Sequence, residues 1–563
     1  MSAAEQAGIS QKDGALSQTN EHIRLSPYIR VLACVELFRN ISSYLTQVEI
    51  DRQLFRKDYR LAWSKQQSAM KEGRAAIAAL AAVCKAISPV AISALWERLD
   101  SADPVVALCA IFPVTDASSP LPLGFQRYTN EVRSIKMETG FIPEALLADR
   151  DTPALPNLQQ LHWVATFNAP IQPFVGLIVP TMRDLRVHVT PQPFASKEAE
   201  NAAMTAALLD ALRAAAQRCL SLETLELHWS DGPPLSASAA ICEILPLMRS
   251  LRSLSVSAQA MAFAPALLVL SQLPFLRILG IKQFGGSQSG LDALQNSLQR
   301  VASGFSLLEE LRLSGSFSLV HEILQCMPKC AVRRCTVTLA GVASEDKQQA
   351  IVESVLLKFG TSIHAFSIKT EVLVFPNNTL ITQPAVNPGP PCPVSALSTL
   401  RTRNMTELSI GSLDPSHVTD ELCRDLALAW PRLRVLHLTP IGEYSYALPA
   451  LPRATLQGLR YFAEHCPALS SIVIAVDASG EHWAEAAATM PPVQRTNAAS
   501  LDLTRSPVTS PEAVAAYLKR SFHSFEDVRF SRPRAYIRGG DAERAMSRAW
   551  ERVCSILLGG DRA

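Results

Sequence analysis

The sequence predicts an α/β solenoid, in which short parallel strands lie side by side with helices behind them, preceded by a helical module of its own. Three observations carry this reading. A strand-forming phrase, apolar-x-x-apolar-x-apolar, can be read thirteen times, with its first apolar residue at Leu158, Met182, Leu222, Leu251, Leu276, Leu308, Val332, Ile363, Met405, Leu433, Leu469, Ala498 and Phe525. Neighbouring copies lie 24 to 42 residues apart, which leaves room for a helix in each interval. The intervening segments NAAMTAALLDALRAAAQRC, HVTDELCRDLALAW and ATLQGLRYFAEHC place apolar residues at i, i+3 or i+4 and i+7, the helical period.

Within each phrase the second and third apolar residues are two apart, so both point to one face of a strand and the residue between them points to the other. No single unit can bury its own apolar face, so the units must stack. Taken in order, residues 1–24 are polar, without an apolar signal region, and read as a disordered tail. Residues 25–112 read as a helical module: VLACVELFRNISSYL sets Leu37, Phe38, Ile41 and Leu45 on one helix face, and after a charged insert come an Ala-rich helix and a helix starting at Ser88-Pro89 that carries Trp96. Residues 113–150 connect this module to the solenoid of 151–535, and 536–563 form a C-terminal capping helix with Trp550 and Leu557 facing the last strand. The Pro- and Asn-rich stretch FPNNTLITQPAVNPGPPCPVS, inside the longest interval, reads as a loop.

Over about two thirds of the chain the phrase resembles leucine-rich repeats, whose period is roughly 20 to 29 residues. The resemblance implies parallel strands on a concave face and helices on a convex one. That family usually has Asn or Cys eight residues after the first Leu; this chain has Thr166, Thr190, Ser230, Ser316 and Ser506 among others there, never Asn. Residues 31–112, with ELFRNISSYL, LAAVCKAIS and PVAISALWERLDS in that order, resemble the F-box proteins of filamentous and mushroom-forming fungi. The resemblance implies docking on the Skp adaptor of a cullin-RING ubiquitin ligase through Glu36, Leu37, Phe38, Ile41, Leu45 and Trp96, with an unidentified protein substrate held by the repeats. Where the family commonly has Leu-Pro before its first helix, this chain has Ala33-Cys34. The same helices could instead cap the open end of the repeat stack.

The alternation nominates the partner-facing residues. His162, Arg186, His188, Glu226, His228, Lys282, Arg312, Lys369 and His437 all fall on the outward side of their strands, and Trp163 and Trp229 beside the first histidines suggest a polar-aromatic patch. Acidic Asp184, Glu226, Glu310, Glu407, Asp502 and Asp527 are matched by basic Arg186, Lys282, Arg312, Arg334, Lys369 and Arg529. That balance argues against a nucleic-acid groove, as does the whole-chain net charge of +2.

Chemistry is not visible. There is no Gly-Lys pair for a phosphate loop, no HExxH, and the GGSQSG run at 285–290 has no Ser at the centre of a nucleophile elbow. Cys326, Cys330 and Cys335 lack paired zinc spacing, while Cys219 and Cys466 occupy a position held elsewhere by Leu155, Val179, Leu273 or Trp430, that of a small buried hydrophobe. Ser510 before Pro511 reads as a helix cap. The expectation is a non-enzyme without cofactor, metal or membrane span, in the cytoplasm or nucleus, where its 12 cysteines stay reduced.

Overall fold

The computed structural model describes residues 74–79, 88–112, 120–138, 152–166, 174–190, 198–229, 235–257, 263–283, 304–340, 344–360, 362–371, 397, 399–440, 451–493, 499–503, 506–522, 524–530 and 541–559. The chain divides into two compact units, Met1–Glu97 and Arg98–Ala563. In the first, the helix Ser88–Glu97 starts on Ser88-Pro89, buries Ala91 and leaves Trp96 half-buried in its last turn. The Arg74 guanidinium donates to the Leu95 carbonyl at 2.9 Å. Glu36, Leu37, Phe38, Ile41 and Leu45 lie outside the described residues.

The second unit is built on one sheet of fifteen strands in strict chain order. These are β1 (Arg98–Leu99), β2 (Ser134–Glu138), β3 (Gln160–Thr166), β4 (Asp184–Thr190), β5 (Thr224–Trp229), β6 (Ser253–Ser257), β7 (Ile278–Lys282), β8 (Glu310–Gly315), β9 (Arg334–Ala340), β10 (Ala365–Glu371), β11 (Glu407–Leu413), β12 (Val435–Pro440), β13 (Ser471–Val473), β14 (Ala499–Asp502) and β15 (Phe525–Arg529). Every neighbouring pair is parallel, and the thirteen phrases seed β3 to β15. Leu161 pairs with Leu185, then Leu225, Leu254, Leu279 and Leu311 follow in one row. All six are buried. At about 1.5–3 kcal/mol for each fully buried leucine, this row alone makes a slipped register costly, because a one-residue slip would turn it to solvent.

Two boundaries move. The sheet starts at β1 and β2, inside stretches read from sequence as helical module and connecting segment, because Leu99, Ile135 and Met137 extend the buried rows by two strands. The helix Asp103–Ile111 therefore belongs to the sheet-bearing unit, where it buries Val105 and Leu108 and packs on the helix Leu123–Thr129. Across the longest interval, β10 and β11 pair directly, Ala365 opposite Glu407 and Ile368 opposite Ile410, so the sheet runs through without a break. Residues 372–396 lie outside the described set.

The helices cover one face. Asp420–Ala429 and Leu456–His465 are typical: each is capped by a threonine, Thr419 accepting from Leu422 N and Thr455 accepting from Gln457 N, and each turns one apolar stripe inward, Leu422, Cys423 and Leu426 in the first and Leu456, Leu459 and Phe462 in the second. Asp420 and Glu421 in the first turn also suit the positive end of the helix dipole. The helix Asp541–Leu558 lies against β15 and against the helix Pro511–Ser521, with Trp550 buried and its indole donating to the Ser506 carbonyl at 2.7 Å. Leu557 is half-buried.

Side-chain hydroxyls tie neighbouring units together through their backbone groups. Thr181, Ser221 and Ser362, each just before a phrase, donate to the Leu158, Met182 and Val332 carbonyls of the preceding unit at 2.8, 3.3 and 2.9 Å. Ser506, eight residues into its phrase, is fully buried and accepts from Val476 N at 2.9 Å. Ser316, at the equivalent place, caps the helix Phe317–Cys326 by accepting from Leu319 N. Ser510 sits at the N-cap of Pro511–Ser521, but its side chain makes no cap hydrogen bond.

Candidate functional site

On the face opposite the helices, the residues between the buried rows form rows of their own. In β5 the alternation is complete: Leu225, Leu227 and Trp229 are buried, whereas Thr224, Glu226 and His228 are only partly covered. His162, Arg186, Glu226 and Arg312 belong to one outward row, and His188, His228, Lys282 and Lys369 to the next. Arg186 and Arg312 are exposed and the others half-buried. His437 projects from β12, its Nε2 at 2.9 Å from the Ser471 hydroxyl.

Charge on this face is largely paired at home. Arg186 bonds Asp184 at 2.8 Å and Arg312 bonds Glu310 at 2.7 Å, each two residues along the same strand, and Arg529 pairs with Asp527 in the same way. Arg334 reaches Glu407 at 3.0 Å. The equal numbers of acids and bases seen in the sequence thus become mixed-sign pairs, not a field of one sign.

One cluster stands apart. Because β3, β4 and β5 are in register at the strand spacing of about 4.8 Å, side chains in one row must stack, and the His188 and His228 rings do, with centroids 4.8 Å apart and planes within 4°. His162 meets His188 edge-on at 4.7 Å. The Glu226 Oε1 lies 3.3 Å from His188 Nε2 and 3.1 Å from His228 Nε2, while Oε2 lies 3.8 Å from Arg186 Nε. His228 Nε2 is also 3.1 Å from the Ser255 hydroxyl. The Nε2 atoms of His162 and His188 are buried without a hydrogen-bond partner, so the 3.3 Å approach of His188 to Glu226 is an ion-pair distance without hydrogen-bond geometry.

Burial drives the local electrostatics. Desolvation, helped by the His188, Lys136 and Arg186 charges, holds His162 down at about 4, and desolvation brings His228 to about 4 against the opposing pull of Glu226. Interaction with His188, then with the His228 and Arg186 charges, outweighs desolvation and lowers Glu226 to about 2. Near neutral pH the cluster therefore offers neutral imidazole at His162 and His228 and a carboxylate at Glu226.

The polar-aromatic patch expected from sequence loses its tryptophans. Trp163 and Trp229 occupy apolar positions of their strands, so alternation sends them to the helix side, where both are buried and Trp163 stacks on Phe174 at 4.5 Å. Cys219 and Cys466 are small buried groups, their thiols donating to the Val179 and Trp430 carbonyls at 3.1 and 3.3 Å. Cys335 is buried in β9. Among the described residues, the group of metal-ligand type is His188, Glu226 and His228, whose members the sequence offered as partner-facing residues without showing that they converge.

No known family model matches the chain, and no curated protein matches it. No helix among the described residues is long and apolar enough to cross a membrane.

Proposed function

We propose that this chain is the substrate-recognition subunit of a cullin-RING ubiquitin ligase. In this reading residues 25–112 dock on the Skp adaptor and the open face of the sheet holds a protein target. The observation that carries it is the face opposite the helices, which no described helix covers: parallel strands present rows of half-buried polar side chains with self-paired charges, a surface suited to a mixed-charge protein epitope and unsuited to a polyanion. The adaptor half rests on the F-box resemblance of residues 31–112. Ubiquitin transfer belongs to the assembled complex in this reading, and the subunit contributes binding alone.

The division of the chain after Glu97 favours a second reading, a repeat scaffold unconnected with ubiquitin, since the stretch resembling an F-box straddles that boundary. One experiment separates the two. The full chain is used to capture the Skp adaptor, with Leu37→Asp and Ile41→Asp compared with wild type. Adaptor capture by wild type, lost in both variants while other partners are kept, supports the receptor reading; no capture by wild type leaves the scaffold.

A further inference from the structure

We infer that His188, Glu226 and His228 form a binding site for a single divalent transition-metal ion of the zinc class, on the open face of β4 and β5. Two imidazoles and one carboxylate are a donor set that zinc takes when a coordination position stays open for water. The separations fit. Two ligands held 2.0–2.1 Å from a tetrahedral ion lie roughly 3.3 Å from each other, and Glu226 Oε1 is 3.3 Å from His188 Nε2 and 3.1 Å from His228 Nε2. No two of the three ligand atoms are more than 4.8 Å apart, so a modest tilt of one ring closes the site.

The surroundings hold the groups ready. The paired register of His188 with His228 fixes both rings on rigid strands and not on loops. His188 Nε2 is shielded from water and meets the Glu226 carboxylate at 3.3 Å without hydrogen-bond geometry, so in the tautomer that carries the proton on Nδ1 its lone pair faces the place a metal would take. Arg186 is bonded to Asp184 and lies 3.8 Å from Glu226 Oε2, while Oε1 is turned to the imidazoles. Ser255, already at 3.1 Å from His228, is placed to bond a metal-held water. Exposure of 32%, 23% and 15% for the His188, Glu226 and His228 side chains places the cluster at the surface of the sheet and not in its core.

The site is independent of adaptor docking, and its test needs neither partner nor activity. Full-length protein is stripped with chelator and titrated with Co²⁺, then with Zn²⁺. The expected result is one tight equivalent with visible d–d absorption and no thiolate charge-transfer band, which separates this site from any cysteine site, followed by displacement by Zn²⁺. Glu226→Gln should weaken binding at least tenfold, His188→Ala and His228→Ala should remove that equivalent, and His364→Ala, an exposed histidine elsewhere, should keep it. Circular dichroism establishes that each variant is folded. Should a variant fail to fold, histidine modification by diethylpyrocarbonate on wild type decides: Zn²⁺ should protect His188 and His228. Equal stoichiometry in wild type and the folded alanine variants, or no protection by saturating Zn²⁺, overturns the site.

Discussion

Asp420 couples two neighbouring repeats, and removing it tests how the stack is held together. Its Oδ1 accepts from the Thr455 backbone N–H at 2.7 Å and its Oδ2 accepts from the Thr455 hydroxyl at 2.7 Å, while that hydroxyl itself accepts from Gln457 N at 3.1 Å as the cap of the next helix. The carboxylate of one helix thus orients the cap of the next. Hydrogen bonds to a charged group are each worth about 1.5–3 kcal/mol when well shielded. Asp420 is half-buried and water can replace part of that, so Asp420→Ala is expected to cost about 2 kcal/mol. Asp420→Asn keeps an acceptor for the Thr455 amide and should cost about 1 kcal/mol or less. Thr455→Val removes both the cap and the hydroxyl link, so a double-mutant cycle of Asp420→Ala with Thr455→Val should show a coupling of about 1–2 kcal/mol. Long repeat arrays need not unfold in one step, so urea unfolding is paired with hydrogen exchange read at residues 455–465. An Asp420→Ala protein within about 0.5 kcal/mol of wild type, with unchanged exchange there, would refute the coupling.

Other perturbations have equally definite outcomes. Leu279→Ala, in the fully buried row, should cost about 3 kcal/mol by urea unfolding, and a loss under about 1 kcal/mol would mean that the row is not packed. Trp550→Ala should uncover the end of the stack, lowering the unfolding midpoint by about 3 kcal/mol equivalent and promoting self-association in light scattering; a monomer of unchanged midpoint would contradict the capping role. Burial pushes Cys219 and Cys554 up to about 12 and Cys326 and Cys330 up to about 11 from 9.0, so these thiols should label slowly near neutral pH, with rates climbing as the solution is made alkaline. The sign follows from linkage: above pH 9.0 the unfolded chain releases these protons first, so the stability they contribute at lower pH is lost as pH rises toward the folded values. Site-resolved mass spectrometry of labelled native protein checks the rates, and fast labelling of Cys219 at about pH 8 would rule out its burial.

The repeat was legible because its signal is local. A leucine two residues from another leucine faces the same side of a strand whatever the rest of the chain does, so Leu225, Leu254, Leu279 and Leu311 could be ranked before any coordinate was known. The same alternation sends Trp163 and Trp229 to the helix side, away from the histidines that adjoin them in sequence. Of the two early strands, β1 has only two residues, too short to show a period, whereas β2 carries the phrase itself at Val132, Ile135 and Met137, all buried, and was legible in principle. The hydroxyl links were illegible, since a serine before a leucine carries no sign that the carbonyl 39 positions earlier lies within reach.

By itself the sequence determined the alternation of strand and helix, the number and register of the later parallel strands, and which side chains face outward, because period-two burial is a property of each short phrase. Only the tertiary structure decided that His188, from one phrase, and Glu226 and His228, from the next, come within ligand distance of each other. Matching positions in successive phrases put His188 and His228 on facing strands, but the side-chain torsions that bring both Nε2 atoms to Glu226 Oε1 are set by packing and not by the period.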